Sequence, residues 1–111
     1  MATYMVEVSY TSEALNALIA KRQDRSGHIN KVIEGLGGKS IGSWLAFGDH
    51  DLVMIIEMPN NVNAAALALA AAAGGSCKSV KTTPLLTIAQ GLSALKKAGK
   101  SGYKPIAANR K

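Results

Sequence analysis

Alternation of apolar and polar residues predicts four β-strands in this chain, at residues 4–10, 40–47, 51–58 and 79–86. The third is the strongest, because one of its faces is wholly apolar and the other is apolar between two terminal carboxylates. A strand that is apolar on both faces is covered on both faces. We therefore expect one layer from the chain's own helices and a second layer from elsewhere, most simply from a second copy.

Helical spacing of apolar residues predicts the segments between the strands. Thr11 or Ser12 caps a first helical region that runs to Leu36, is interrupted by the polar residues 21–28, and ends at Gly37–Gly38. A second helix is predicted at 64–73 and a third at 88–98. The strand–helix–strand–strand–helix–strand order therefore precedes one extra C-terminal helix.

This order is the split βαβ arrangement of the ferredoxin-like fold, an α+β class. It predicts a βαββαβ domain over residues 1–98 with a four-stranded antiparallel sheet, the first and third strands at its centre. Right-handed crossovers place both helices on one face of the sheet. Val53 and Ile55 then lie on the open face, which predicts a sheet-to-sheet homodimer.

The net charge of +6 is confined to the C-terminus. Seven basic residues balance seven acids over residues 1–95, whereas residues 96–111 hold six basic residues and no acid. Such a segment can bind nucleic acid or an acidic partner, but Tyr103 is its only aromatic residue for base stacking. We favour a solvated, flexible tail over residues 99–111.

The single cysteine and the composition of the N-terminus bear on the cellular compartment of the protein. Cys77 cannot form an internal disulfide, and no basic stretch followed by an apolar stretch opens the chain. The longest apolar run, residues 64–73, is too short to span a bilayer. We expect a cytoplasmic protein with no membrane span.

Strand alternation also predicts which side chains line the open face. Glu7 and Glu57 would lie on the two central strands, where a shielded pair of carboxylates can exchange protons, and Lys81 could neutralise one of them. The alternative is a polar seam of paired charges within a dimer interface. The candidate ligand-binding residues are Glu7, Ser9, Trp44, Asp51, Lys81 and Thr83.

The acidic turn at residues 48–51 contains the candidate catalytic residues His50 and Asp51, beside Glu7 and Glu57. Histidine can accept and donate protons near neutral pH. Adjacent strand residues point to opposite faces, however, so a direct His50–Asp51 dyad is sterically awkward. The alternative is a turn whose aspartates accept backbone N–H bonds.

No cofactor or metal is expected from these residue types. Two histidines and one cysteine, far apart, match no ligand spacing, and Leu36–Gly37–Gly38–Lys39 follows a helix rather than a strand, unlike a phosphate loop.

Taken in order, several short motifs resemble the GYD-domain family of the dimeric α/β barrel group. These are the Tyr4–Thr11 strand end, Leu36–Gly37–Gly38–Lys39, residues 48–57 (GDHDLVMIIE) and Pro59 before an Ala-rich helix. His50 stands where the family's naming motif usually has tyrosine. The resemblance covers Tyr4 to about Leu86 and implies a ferredoxin-like fold that pairs sheet to sheet; some members of the wider barrel group use a His–Asp pair.

The leading functional hypothesis is a small oligomeric protein that binds a small organic molecule in a cleft on the open sheet face. One alternative is a structural or regulatory oligomer without a small ligand. Another is a cofactor-free isomerase, cyclase or oxygenase.

Overall fold

A computed structural model of the chain describes residues 1–107 and contains four strands and four helices. In chain order the elements are β1 (Ala2–Tyr10), α1 (Ser12–Ala20), α2 (Ser26–Gly35), β2 (Lys39–Leu45), β3 (Leu52–Met58), α3 (Asn61–Ala73), β4 (Cys77–Leu85) and α4 (Ile88–Gly99). The polar stretch predicted to interrupt the first helical region separates α1 from α2, so the region forms two helices.

The sheet order β2-β3-β1-β4, with every pairing antiparallel, confirms the ferredoxin-like α+β fold. As predicted, the first and third strands lie side by side at the centre. Each central strand has two neighbours, so residues at its middle are flanked by side chains from both sides.

The hydrophobic core lies between one face of this sheet and the helices. The first strand and the third strand contribute alternate residues, as their sequence pattern predicts, while α2 contributes Ile33 and α3 contributes Ala64 and Leu67. The buried strand residues are Tyr4, Val6, Val8, Leu52, Met54, Ile56 and Met58. The opposite face of the sheet therefore has no covering helix among residues 1–107.

The end of α2 is tied to the start of α3 over the edge of the core. Gly37 adopts a φ of 83°, which favours glycine, and Gly38 N–H donates to Ile33 O at 2.9 Å. Asn63 Nδ2 donates to Leu36 O at 2.8 Å, and Asn60 caps α3. These bonds fix both helices against the same face of the sheet.

The C-terminal helix α4 stands apart from this body. Thr87 and Gln90 close a capping box at its start, yet no other element packs closely against it within residues 1–107. The molecule is consequently elongated, with extents of 61 × 37 × 22 Å. Of the predicted tail, residues 100–107 are exposed and without regular structure, and residues 108–111 lie outside the described part of the chain.

No helix in residues 1–107 combines the length and apolar character needed to cross a membrane.

Candidate functional site

The open face of the sheet carries an apolar strip with polar groups around it. Met5 of β1 lies opposite Ile55 of β3 and Thr83 of β4, and all three are half-buried although no helix covers them. Glu7 lies opposite Val53 on one side and Lys81 on the other. The register therefore brings four of the expected open-face residues around Met5 and Glu7, namely Val53, Ile55, Lys81 and Thr83.

Glu57 lies on the same face but at the other end of the strip. Its cross-strand neighbours are Thr3 and Lys39, whereas Glu7 lies opposite Val53, which comes four residues before Glu57 in β3. Four residues of strand span about 13 Å. The two carboxylates therefore do not form an acid–base pair, and each instead has a lysine as a cross-strand neighbour.

The titratable side chain that lies beside Glu7 is His50 rather than Glu57. Its Nε2 lies 3.8 Å from Glu7 Oε2, and its Nδ1 lies 3.2 Å from Ser9 Oγ. His50 and Glu7 are about one-fifth exposed, and Ser9 is buried. Sequence alternation missed this contact, because β3 begins only at Leu52 and the preceding turn does not alternate like a strand.

The hydrogen bonds around Ser9 define which nitrogen of neutral His50 carries the proton. Ser9 Oγ donates its single proton to the carbonyl oxygen of Asp49 at 3.1 Å, and a carbonyl can only accept. Toward His50 the hydroxyl must then accept, so Nδ1 is the N–H donor. Nε2 consequently presents a lone pair on the open face, next to the Glu7 carboxylate.

Asp51 does not join this cluster. Its Oδ2 accepts the backbone N–H of Tyr10 at 2.8 Å, and its own backbone bonds to Val8 and Ala46. Rather than lying on the open face, as strand alternation suggests, it lies on the helix side, because it precedes the regular part of β3. No His50–Asp51 dyad forms, and the aspartate has the amide-binding role of a turn residue.

The side chain of Asp51 lines a shallow groove of about 360 Å³ between α1 and the ends of β1 and β2, called here the α1 groove. Its apolar lining residues are Tyr10, Leu15, Leu18, Ile19, Leu45 and Ala46, and Arg22 and Asp51 are its polar ones. Burial, followed by the neighbouring Cys77, raises the pKa of Tyr10. At neutral pH the groove is therefore mainly apolar, with one cation and one anion.

Replacing Asp51 by asparagine is expected to lower the free energy of unfolding by only about 1 kcal/mol, because the amide oxygen still accepts the Tyr10 N–H. Replacing it by alanine removes the acceptor and is expected to lower that free energy by about 1–3 kcal/mol. Urea unfolding of both variants provides the comparison. An equally large loss in the two variants would show that the charge, rather than the acceptor, holds the turn.

Trp44 extends the apolar strip toward the edge of the sheet. An irregularity in the β2–β3 register between Ser40 and Gly42 brings Trp44 opposite Val53. The indole lies against Gly42, where an added Cβ would stand 2.7 Å from the ring. The ring is 57% exposed and offers a flat surface to a planar molecule.

A metal site and a cysteine nucleophile find no support in residues 1–107. No group of three histidine, cysteine or acidic residues is arranged to hold a metal ion there. Burial raises the pKa of the Cys77 thiol, which disfavours the nucleophilic thiolate at neutral pH.

We expect ¹⁵N NMR of the folded protein at mildly alkaline pH to find the proton of neutral His50 on Nδ1. The chain offers its own control in His28, which is exposed and has no such partner arrangement. Ser9→Ala removes the acceptor and is expected to shift His50 toward the Nε2–H form while leaving His28 unchanged. Finding Nε2–H in the unaltered protein would contradict the hydrogen-bond assignment.

Comparison with known proteins gives one result. The family model of the GYD domain matches residues 4–95, which include β2, β3, β4, all but the first two residues of β1, and the site around Glu7. No curated protein and no solved structure gives a significant match.

Proposed function

The chain belongs to the GYD domain family, and on that premise we propose that it is a homodimer that binds a small organic molecule between its open sheet faces. Within this cleft His50 accepts and returns a proton. The observation that carries the proposal is the Ser9–His50–Glu7 cluster, which leaves a histidine lone pair on a partly apolar surface.

The dimer is supported by the apolar strip of the open face. Met5, Val53 and Ile55 lie at the middle of the sheet on the side that no helix in residues 1–107 covers. Apolar side chains in such a row favour a covering layer that removes them from water. A second sheet would cover them and would convert a flat surface into a cleft.

The chemistry of the face indicates the class of ligand. The apolar strip and the exposed Trp44 indole suit a flat, largely apolar molecule. His50 Nε2 suits an O–H or an acidic C–H on that molecule, and Lys81, opposite Glu7, suits a neighbouring anionic oxygen. We therefore propose a planar phenol, enol or enolisable carbonyl compound.

A cofactor-free isomerisation is the reaction this cluster could perform. The bond from the ligand's acidic C–H to hydrogen breaks, its electron pair stays on the ligand as an enolate, and the proton forms a bond to His50 Nε2. The Glu7 carboxylate lies beside the resulting imidazolium, and the same proton is then returned to the enolate oxygen, which leaves the ligand as its enol. This proton transfer needs no oxidant and no metal ion.

The second candidate is a structural or regulatory oligomer without a ligand. The observation in its favour is that both open-face glutamates have a lysine as a cross-strand neighbour, Lys81 for Glu7 and Lys39 for Glu57. Paired charges of this kind are as compatible with a protein–protein interface as with the lining of a ligand cleft.

The two functions are separated by NMR titration with 4-nitrophenol as a flat hydroxyl probe and nitrobenzene as its matched control. If the protein binds a small molecule on this face, the NMR chemical shifts of the Trp44 indole and of His50 are expected to change. The changes are expected to be larger with 4-nitrophenol than with nitrobenzene. It also predicts at least tenfold weaker phenol binding in His50→Leu, with His28→Leu unaffected. If neither probe shifts an open-face resonance, or if both shift only the α1 groove, the oligomer without a ligand is favoured.

A further inference from the structure

The α4 helix presents an apolar stripe that nothing else in residues 1–107 covers. Ile88, Leu92 and Leu95 recur at helical spacing, and each is more than 60% exposed. A helix of 12 residues is marginal in water when nothing packs against it. A stripe of this kind therefore needs an apolar partner surface.

The α1 groove is the matching surface in residues 1–107. Its lining is apolar, and Ile19, Leu45 and the adjacent Phe47 are 71%, 82% and 103% exposed. Neither surface is covered by another part of residues 1–107.

The two surfaces lie at opposite ends of the sheet. The chain leaves β4 at Leu85, close to Thr3 at the start of β1, whereas the groove begins at Tyr10 at the other end of that strand. Seven strand residues separate these ends by about 23 Å. The helix, about 18 Å long, stands away from the groove and leaves the molecule 61 Å long.

We propose that α4 of one chain docks in the α1 groove of a second copy of the same chain. The exchange is reciprocal under two-fold symmetry, so each chain gives one helix and receives one. It goes beyond the proposed ligand site, because neither surface includes the Ser9–His50–Glu7 cluster.

Charge is complementary for one orientation of the docked helix. The only charged residues of α4 are Lys96 and Lys97 in its last turn. The groove has Asp51 at the end formed by the β2–β3 turn, where the exposed Asp49 also lies. Arg22 lies on α1's side of the groove, so the lysine end of α4 fits toward the aspartate turn. That orientation brings Leu95 toward Leu45.

The surface available is close to what a specific contact needs. Burying a large apolar side chain removes on the order of 100 Å² from water, so the seven exposed apolar residues of the two surfaces offer on the order of 700 Å² per chain. Stable interfaces bury about 800 Å² per partner. The seven are Leu86, Ile88, Leu92 and Leu95 beside Ile19, Leu45 and Phe47.

Disulfide trapping between two pools of full-length chain tests the docking. Both pools carry Cys77→Ser; one also carries Leu95→Cys and the other Leu45→Cys. Mixing the pools under mild oxidation is expected to give disulfides between them. As a matched control, Ser93→Cys, which lies roughly 160° around the helix from Leu95, is expected to react with the Leu45→Cys pool at least tenfold more slowly.

Three outcomes would overturn the proposal. Disulfides within the Leu95→Cys pool alone, at the same rate, would show that α4 pairs with α4. An intrachain disulfide in monomer carrying both Leu95→Cys and Leu45→Cys would show that α4 reaches its own groove. Equal rates for Leu95→Cys and Ser93→Cys would show that α4 does not dock there.

Discussion

Val53→Asp is expected to weaken the homodimer by at least a hundredfold in dissociation constant, while the separate chain still folds. Val53 lies on the open face opposite Glu7 and Trp44, where the proposed second sheet would bury it. A buried, unpaired carboxylate costs on the order of 3–5 kcal/mol, and each 1.4 kcal/mol is tenfold in affinity. In a single chain Val53 is half-exposed, so the new charge remains hydrated.

Light scattering over a dilution series measures this change, and circular dichroism checks the fold. Val62→Asp is the matched control, because Val62 is 77% exposed on α3, away from the open face. We expect that variant to dissociate at the same concentration as the unaltered protein. Identical dissociation of both variants would show that the open face is not the contact between copies.

Gly38→Ala is expected to lower the free energy of unfolding by about 2–3 kcal/mol, since overpacking a core at a fixed backbone position has that scale. A Cβ at Gly38 would overlap Met58 Sδ, would stand 2.5 Å from the backbone oxygen of Glu57, and would crowd Ile33. Met58 and Ile33 are fully buried, so neither side chain can give way toward solvent. For a chain of this size the melting temperature is expected to fall by roughly 10 °C.

Gly35→Ala provides the control for this prediction, because it lies in the last turn of α2 with open space around its Cα. That change is expected to stabilise the protein by about 0.4–1 kcal/mol by restricting the unfolded chain. Thermal and urea unfolding compare the two variants. A Gly38→Ala protein as stable as the Gly35→Ala protein would contradict the close approach of α2's end to β3.

The fold was predictable because its elements carry strong periodic patterns. Alternation in β1 and β3 predicts the residues that become buried, among them Val6 and Ile56, and the order of elements predicts the strand order of the sheet. The polar residues 21–28 predict the break that separates α1 from α2, although the structure begins α2 within that stretch, at Ser26. In each case local sequence and tertiary packing favour the same conformation.

The site was predicted only in part, because strand parity gives the face of a residue and not its level along the sheet. Glu7 and Glu57 share the expected face, yet the register holds them about 13 Å apart. His50 lies in a turn where alternation does not apply, so its contact with Ser9 and Glu7 depends on the tertiary path of residues 46–51. No pattern in the sequence predicts the path of that turn.

The central claim is that a second copy of the chain covers the open sheet face and closes a cleft around His50. Native mass spectrometry of the purified full-length protein at low micromolar concentration tests it most directly. We expect a species of twice the 11.5 kDa chain mass, with a small organic molecule released on denaturation. A single species at the mass of one chain throughout that concentration range would contradict the account.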